Sequence, residues 1–247
     1  MLNIKKSKSG KILRIRVLPK KERFFFQFWM KESGLSSMLI LLIIMHFIFI
    51  PLFGSYSFFM VILNIFWMLF LLAGVFSLKT DTKKIALISI LPILFIIFEW
   101  MNFLFPVLVI SCIDFVLTIA TFLMVITLIL RRVFEPGPIN GHRIVGSIVV
   151  YMLLANLWCI LYLFLYTKIE GSFQMATPKF ESNSPEANFL YFSYITLTTT
   201  GYGEILPIHP VARSLVQMET IVGVLYPVIL IGNLVSNAGI RKSDEEK

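Results

Sequence analysis

Long apolar runs separated by short polar or basic segments dominate the chain, at about 35–53, 58–78, 85–105, 106–130, 142–166 and 211–236. Each is close to the roughly 20 residues that a helix needs to cross about 30 Å of hydrocarbon, so the pattern predicts six membrane-spanning helices. Only Met101, Asn102 and Phe103 interrupt the third and fourth runs, and Pro92 and Pro106 lie in or beside them, which predicts a helical hairpin with a minimal outer turn. Between the fifth and sixth runs, Ser184-Pro185-Glu186 reads as a helix start, with a serine cap, a proline at the first helical position and an acid in the first turn. The apolar and aromatic residues 187–197 that follow predict a short helix ending at Thr198-Thr199-Thr200-Gly201-Tyr202-Gly203-Glu204.

Composition narrows the class. At 57% hydrophobic and 15% charged residues, with a mean hydropathy of +0.85, there are too few charges to cover a water-soluble surface. The cations are placed unevenly. Lys5, Lys6, Lys8, Lys11, Arg14, Arg16, Lys20, Lys21, Arg23 and Lys31 precede the first run, Lys79, Lys83 and Lys84 separate the second and third, and Arg131, Arg132 and Arg143 separate the fourth and fifth. Positive residues mark cytoplasmic loops, so both termini are expected in the cytoplasm, with the 101–105 turn and the Thr-Gly segment outside. The net charge of +8 is therefore a topology signal, and a nucleic-acid partner is not expected. No secretory signal is evident, because a long basic segment precedes the first apolar run. Phe24, Phe25, Phe26, Phe28, Trp29 and Met30, bracketed by lysines and an arginine, predict an interfacial helix or a segment packed on the first span. The basic arm is a candidate for anionic lipid, against the plainer reading of solvated positive charge.

The Thr-Gly segment carries the chemistry. Successive carbonyls can face one axis only if the backbone alternates between right- and left-handed dihedrals, and glycine enters the left-handed region without Cβ strain. Gly201 and Gly203 stand at that spacing. Thr199 through Gly203 resembles the Thr-Val-Gly-Tyr-Gly filter of potassium channels, with Thr200 in the valine position. The resemblance covers about 142–240 and implies an all-α integral membrane fold: six transmembrane helices, a re-entrant pore helix and selectivity filter, and a tetrameric channel. It further implies K+ binding by Thr199, Thr200, Gly201, Tyr202 and Gly203, with main-chain oxygens and the Thr199 hydroxyl replacing the ion's water. Glu204 falls at the outer mouth. Tyr191, Phe192 and Tyr194 are expected to pack as a cuff around Tyr202, and Ile195, where some relatives have glutamate, is expected to leave Glu204 without that glutamate as partner. Weak cation selectivity and a non-conducting partner subunit are the alternatives.

The resemblance places a gating hinge at Gly223, with Pro227 removing a further backbone donor; close packing of a small residue against the pore helix is the equal alternative. Glu219 is costly inside a bilayer and is expected to hydrogen-bond behind the pore helix. The fourth span has no arginine between Pro106 and Leu130, only Asp114, and Glu135-Pro136-Gly137-Pro138 breaks the link that follows, so steep voltage sensing is not expected. His46, Asn64, Glu99 and Asp114 fall at similar depth in spans one to four and form a possible polar cluster, either a pH- or ion-sensing site or buried groups paired for packing. Cys112 and Cys159 lie in apolar runs and imply no disulfide, and His142 and His209 are isolated. No nucleophile–base motif or phosphate loop suggests an enzyme, and no cofactor beyond the permeant K+ is expected. The short stretch after Ser236 leads us to expect no cytoplasmic ligand-binding domain, so a regulator would act on the membrane part, the arm or a separate subunit.

The expected organisation is thus a basic arm at 1–34, a four-helix voltage-sensor-like bundle without gating arginines at 35–130, a linker at 131–141, a pore domain at 142–240 and a tail at 241–247. The compact form suggests a bacterial plasma membrane and a homotetramer.

Overall fold

The computed structural model describes residues 33–53, 62, 63, 65–67, 69, 70, 82–135, 141–176 and 184–245 of the 247. The arm up to residue 32 with its expected interfacial helix, Asn64, the Pro136-Gly137-Pro138 break and the last two residues lie outside them. Helix α1 (Ser33–Ile44) runs through a π-helical turn (Met45–Phe49) into a short α2 (Ile50–Phe53). The turn has a local cause: Pro51 has no N–H to give, and Ile50 reaches back five residues to the Met45 carbonyl instead of four. Of the expected second span, the described residues 62, 63, 65–67, 69 and 70 are helical.

Helix α3 (Thr82–Leu104) and α4 (Leu108–Val133) form the expected hairpin, closed in a few residues by the Phe105 amide on the Met101 carbonyl at 2.8 Å and the Val107 amide on the Phe105 carbonyl at 2.7 Å. Helix α5 (Gly141–Lys168) follows, then strand β1 (Phe173–Met175), α6 (Pro185–Leu197), β2 (Ile205–Pro207) and α7 (Pro210–Glu245). Among the described residues, Leu35–Phe53, Leu108–Val133, Gly141–Lys168 and Pro210–Asn233 are long and apolar enough to cross a membrane, and Ile88–Leu104 is a shorter apolar helix. The chain is an integral membrane protein built mostly of helices.

Helix α5 joins two cores. On one side Val149, Val150 and Leu153 pack with Met38 and Leu42 of α1 and with Val125, Ile126 and Ile129 of α4. On the other, Tyr162 packs with Phe189 and Phe192 of α6 and with Phe173 and Ile205 of the two strands. Lipid is as apolar as these side chains, so close fit rather than water exclusion holds helix to helix. Gly146 shows that fit: a Cβ there would stand 3.2 Å from Val133 Cγ2, 3.5 Å from Ile129 Cγ2 and 3.7 Å from Leu35 Cδ1. Beside it, buried Arg143 donates from Nε to the Val133 carbonyl at 2.8 Å and from Nη2 to the Glu135 carbonyl. Those carbonyls end α4, where cationic donors satisfy orphan acceptors and oppose the negative end of the helix. The start of α5 therefore clamps the end of α4 directly, although α4 itself stops at Val133.

Candidate functional site: the segment between α6 and α7

Helix α6 begins as its sequence dictates. The Ser184 side chain accepts from the Ala187 amide at 3.2 Å, Pro185 occupies the first turn and Glu186 supplies the acid. Its C-terminus passes straight into the Thr-Gly segment. Thr199, Gly201 and Gly203 have φ of 58°, 55° and 79°, so left-handed residues alternate with others along the strand. The Thr199 amide donates to the Thr196 carbonyl at 2.9 Å, and the Thr200 and Gly201 amides share the Ile195 carbonyl at 2.8 and 3.1 Å. In a planar trans peptide the C=O opposes the N–H that follows it, so the Thr198, Thr199 and Thr200 carbonyls turn away from α6. Residues 198–203 are exposed on that side, Tyr202 by 68%.

The rear of the segment is braced by three helices. Gly223 of α7 presses on the last residue of α6: a Cβ there would meet the Leu197 oxygen at 2.2 Å and its C and Cα at 2.8 Å. The same Leu197 carbonyl accepts from the Tyr151 hydroxyl of α5 at 3.1 Å, and the Tyr151 ring stacks on Tyr226 of α7 at 5.8 Å. One turn before Gly223, Glu219 is fully buried, at 0% exposure, and its two carboxylate oxygens accept from Ser193 of α6 and Tyr162 of α5. Helix α7 runs unbroken through Pro227, which leaves the Gly223 carbonyl without its usual i+4 amide.

The outer end is tied separately. Strands β1 and β2 pair antiparallel, with Phe173 opposite Pro207, Gln174 opposite Leu206 and Met175 opposite Ile205. The Ala176 amide extends the pairing to the Glu204 carbonyl at 2.8 Å. The Glu204 carboxylate accepts from the Tyr191 hydroxyl of α6. Burial, then this hydrogen bond and the charge of Glu204, push the Tyr191 phenol up to about 12, so it remains a donor at neutral pH.

Several expectations need correction. Glu204 has no glutamate partner at Ile195, and its carboxylate is held instead by the Tyr191 hydroxyl one turn earlier, a partner not anticipated from the sequence. Of the three aromatics expected around Tyr202, two pack elsewhere within the chain. Phe192 is buried against Tyr162 and Phe173, and Tyr194 turns to His46 and Phe47, with ring centroids 6.0 and 5.6 Å away. Of the four polar residues expected to cluster, Asn64 lies outside the described residues, and His46 and Asp114 take different hydrogen-bond partners. His46, only 3% exposed, meets the Leu42 carbonyl through Nδ1 at 2.7 Å and the Asn156 amide of α5 through Nε2 at 2.6 Å, so both ring nitrogens are used without a carboxylate. Asn156 also donates to the Met152 carbonyl at 2.8 Å. Asp114 accepts from Asn102 at 3.1 Å, which in turn accepts from Ser111 at 2.7 Å across the α3–α4 turn. Glu99 faces a cavity between the bundle and α6.

Four participants carried no signal that sequence reasoning used: Thr199 as a left-handed non-glycine, Tyr151 as a donor to Leu197, and Tyr162 and Ser193 as the partners of Glu219. Each depends on contacts 26 to 57 residues apart in sequence or on a strained single residue. Among the described residues no cluster of histidine, cysteine or acid is arranged to hold a metal ion.

No curated protein and no solved structure matches the chain. Residues 144–238, spanning nearly all of α5, the strands, α6, the Thr-Gly segment and most of α7, match a family model described as "Ion channel", a family of channels and not of enzymes.

Proposed function

We propose that the chain is a potassium-selective channel subunit, and that four copies surround one axis lined by Thr199, Thr200, Gly201, Tyr202 and Gly203. The observation that carries this reading is the alternation of left-handed residues at Thr199, Gly201 and Gly203 directly after a short capped helix, with the amides of residues 199–201 tied back to that helix. Such a strand offers a row of carbonyls to whatever lies in front of it. One strand cannot encircle an ion, so several copies must share the axis, and carbonyl rings then take the place of the hydration shell. In this arrangement the C-terminus of α6 aims its negative end toward the partly dehydrated cation. The charge-poor α4 supports a pore that is not steeply voltage-gated, the distribution of lysine and arginine supports cytoplasmic termini, and the compact form suggests a bacterial plasma membrane.

The test is flux from liposomes holding only the purified chain. The expected result is K+ flux far above Na+ flux, blocked by barium and lost in Gly201→Ala, where φ of 55° does not suit a side chain. Equal K+ and Na+ flux would favour a weakly selective cation channel, and no flux from a correctly assembled protein a non-conducting partner subunit. A purified assembly of two or three copies would remove the proposed geometry.

A further inference from the structure

A cavity of about 270 Å³ lies where α3, α4, α5 and the residues of the second span meet the start of α6. Two carboxylates line it, Glu99 of α3 and Glu186 of α6. No lysine or arginine is among its described lining residues. The Glu186 Oε2 atom is buried and has no hydrogen-bond partner among the described residues. Thr118 and Asn156 add polar groups, and the other walls are chiefly aromatic and apolar, with Trp67, Phe95 and Phe122 among them and Trp67 and Phe122 packed at 5.2 Å between centroids.

Carboxylates drawn partly out of water without cations beside them are costly, and a cavity that holds two half-buried ones invites a positive guest. The walls decide its kind. A bare metal ion wants several hard donors held together at short range, and among the described residues no three acidic, histidine or cysteine side chains are grouped that way. An ammonium group on a small hydrocarbon frame matches it better: the charge takes the carboxylates, the frame fills the apolar space, and aromatic faces attract the cation. Such amines cross hydrocarbon in their neutral form, which suits a site between membrane helices. We propose that this cavity binds small aromatic or aliphatic ammonium compounds. Its position at the first turn of α6 means that an occupant would bear on the helix that carries the Thr-Gly segment. The binding claim itself does not require that segment to conduct.

Benzylamine, protonated at pH 7, is a suitable probe, and benzyl alcohol is its uncharged counterpart. Titrated into the purified full chain in detergent, benzylamine is expected to change tryptophan emission saturably. Trp67→Phe, which keeps an aromatic wall, should remove most of that change, and benzyl alcohol should give none. Glu99→Gln and Glu186→Gln should each weaken binding at least tenfold. Saturable binding of benzyl alcohol with equal affinity, or unchanged benzylamine affinity in a folded Glu99→Gln/Glu186→Gln double variant, would overturn the proposal. Displacement of benzylamine by K+ or Na+ at equal concentration would overturn it in favour of a metal-ion site. If the variants fail to fold, the comparison of amine with alcohol on the unaltered chain still decides. Since emission is read without ion flux, failure here is distinct from failure of the channel reading.

Discussion

Replacing Gly223 with alanine separates two physical roles by the sign of one measurement. If Gly223 served only to loosen α7, alanine would favour the helix by about 1 kcal/mol and the protein would melt higher. The packing predicts the reverse. The added Cβ would stand 2.2 Å from the Leu197 oxygen and 2.8 Å from its C and Cα, all of them main-chain atoms that cannot rotate away. Restoring ordinary van der Waals separation requires α6 and α7 to part by about 1 Å. Overpacking of this kind costs roughly 1–3 kcal/mol, and a main-chain obstacle puts it toward the upper end. Net of the helix gain, the loss is about 1–2 kcal/mol, or a fall of about 2–8 °C in apparent melting temperature for a domain of this size. Membrane proteins often unfold irreversibly, so wild type and variant must be compared at one scan rate. The displacement would also strain the Tyr151 bond to the Leu197 carbonyl, one residue before the Thr-Gly segment, so on the proposed function K+ flux should fall with stability. A variant that melts above wild type and conducts normally would refute the packing argument and favour a hinge.

Tyr191→Phe removes the hydroxyl that reaches the Glu204 carboxylate and should cost about 1 kcal/mol at this half-exposed site, read as faster decay of K+ flux at constant driving force. Because the phenol's titration is raised, the wild-type advantage should be complete below pH 10 and vanish as pH climbs through about 12. Glu219→Ala leaves the Ser193 and Tyr162 hydroxyls buried and unpaired, a loss of about 2–5 kcal/mol in thermal stability, whereas Glu219→Gln keeps an acceptor and should lose less. Melting of a Ser193→Ala/Glu219→Ala double variant should show strong non-additivity. Arg143→Met should lower stability by about 1.5–3 kcal/mol, with Arg143→Lys recovering part of it, because two carbonyls at the end of α4 depend on the guanidinium fork.

Local chemistry made much of this architecture readable from the chain. The Ser184-Pro185-Glu186 start of α6, the tight α3–α4 turn and the left-handed glycines at 201 and 203 follow from capping, turn and dihedral rules that act over a few residues. Pairing across the bundle did not follow, because depth in a membrane says which groups share a level but not which helix faces bring them together. His46 meets Asn156 because the π-helical turn before Pro51 rotates it onto α5, a rotation no regular periodicity predicts. Glu219 was legible as a costly acid needing partners, yet Tyr162 and Ser193 are ordinary residues until three helices converge. Thr199 was hidden for another reason: only tertiary constraint holds a β-branched residue at φ of 58°.

That constraint bears on how the segment works. Thr199 costs of order 1–3 kcal/mol in its observed conformation, and such strain persists only where the surroundings over-determine it. The chain supplies that surrounding on one side: the Ile195 and Thr196 carbonyls hold the amides of residues 199–201, Gly223 and Tyr151 hold Leu197, and Tyr191 holds Glu204. On the other side the carbonyls of residues 198–200 meet no described residue of the same chain through these bonds, and oxygens crowded together repel. On the proposed reading, a cation shared among copies is what relieves that repulsion, so K+ should stabilise the assembly more than an ion too large to enter. Melting temperatures in K+ that do not exceed those in N-methylglucamine at equal ionic strength would show that the strained strand is held by the protein alone and needs no ion.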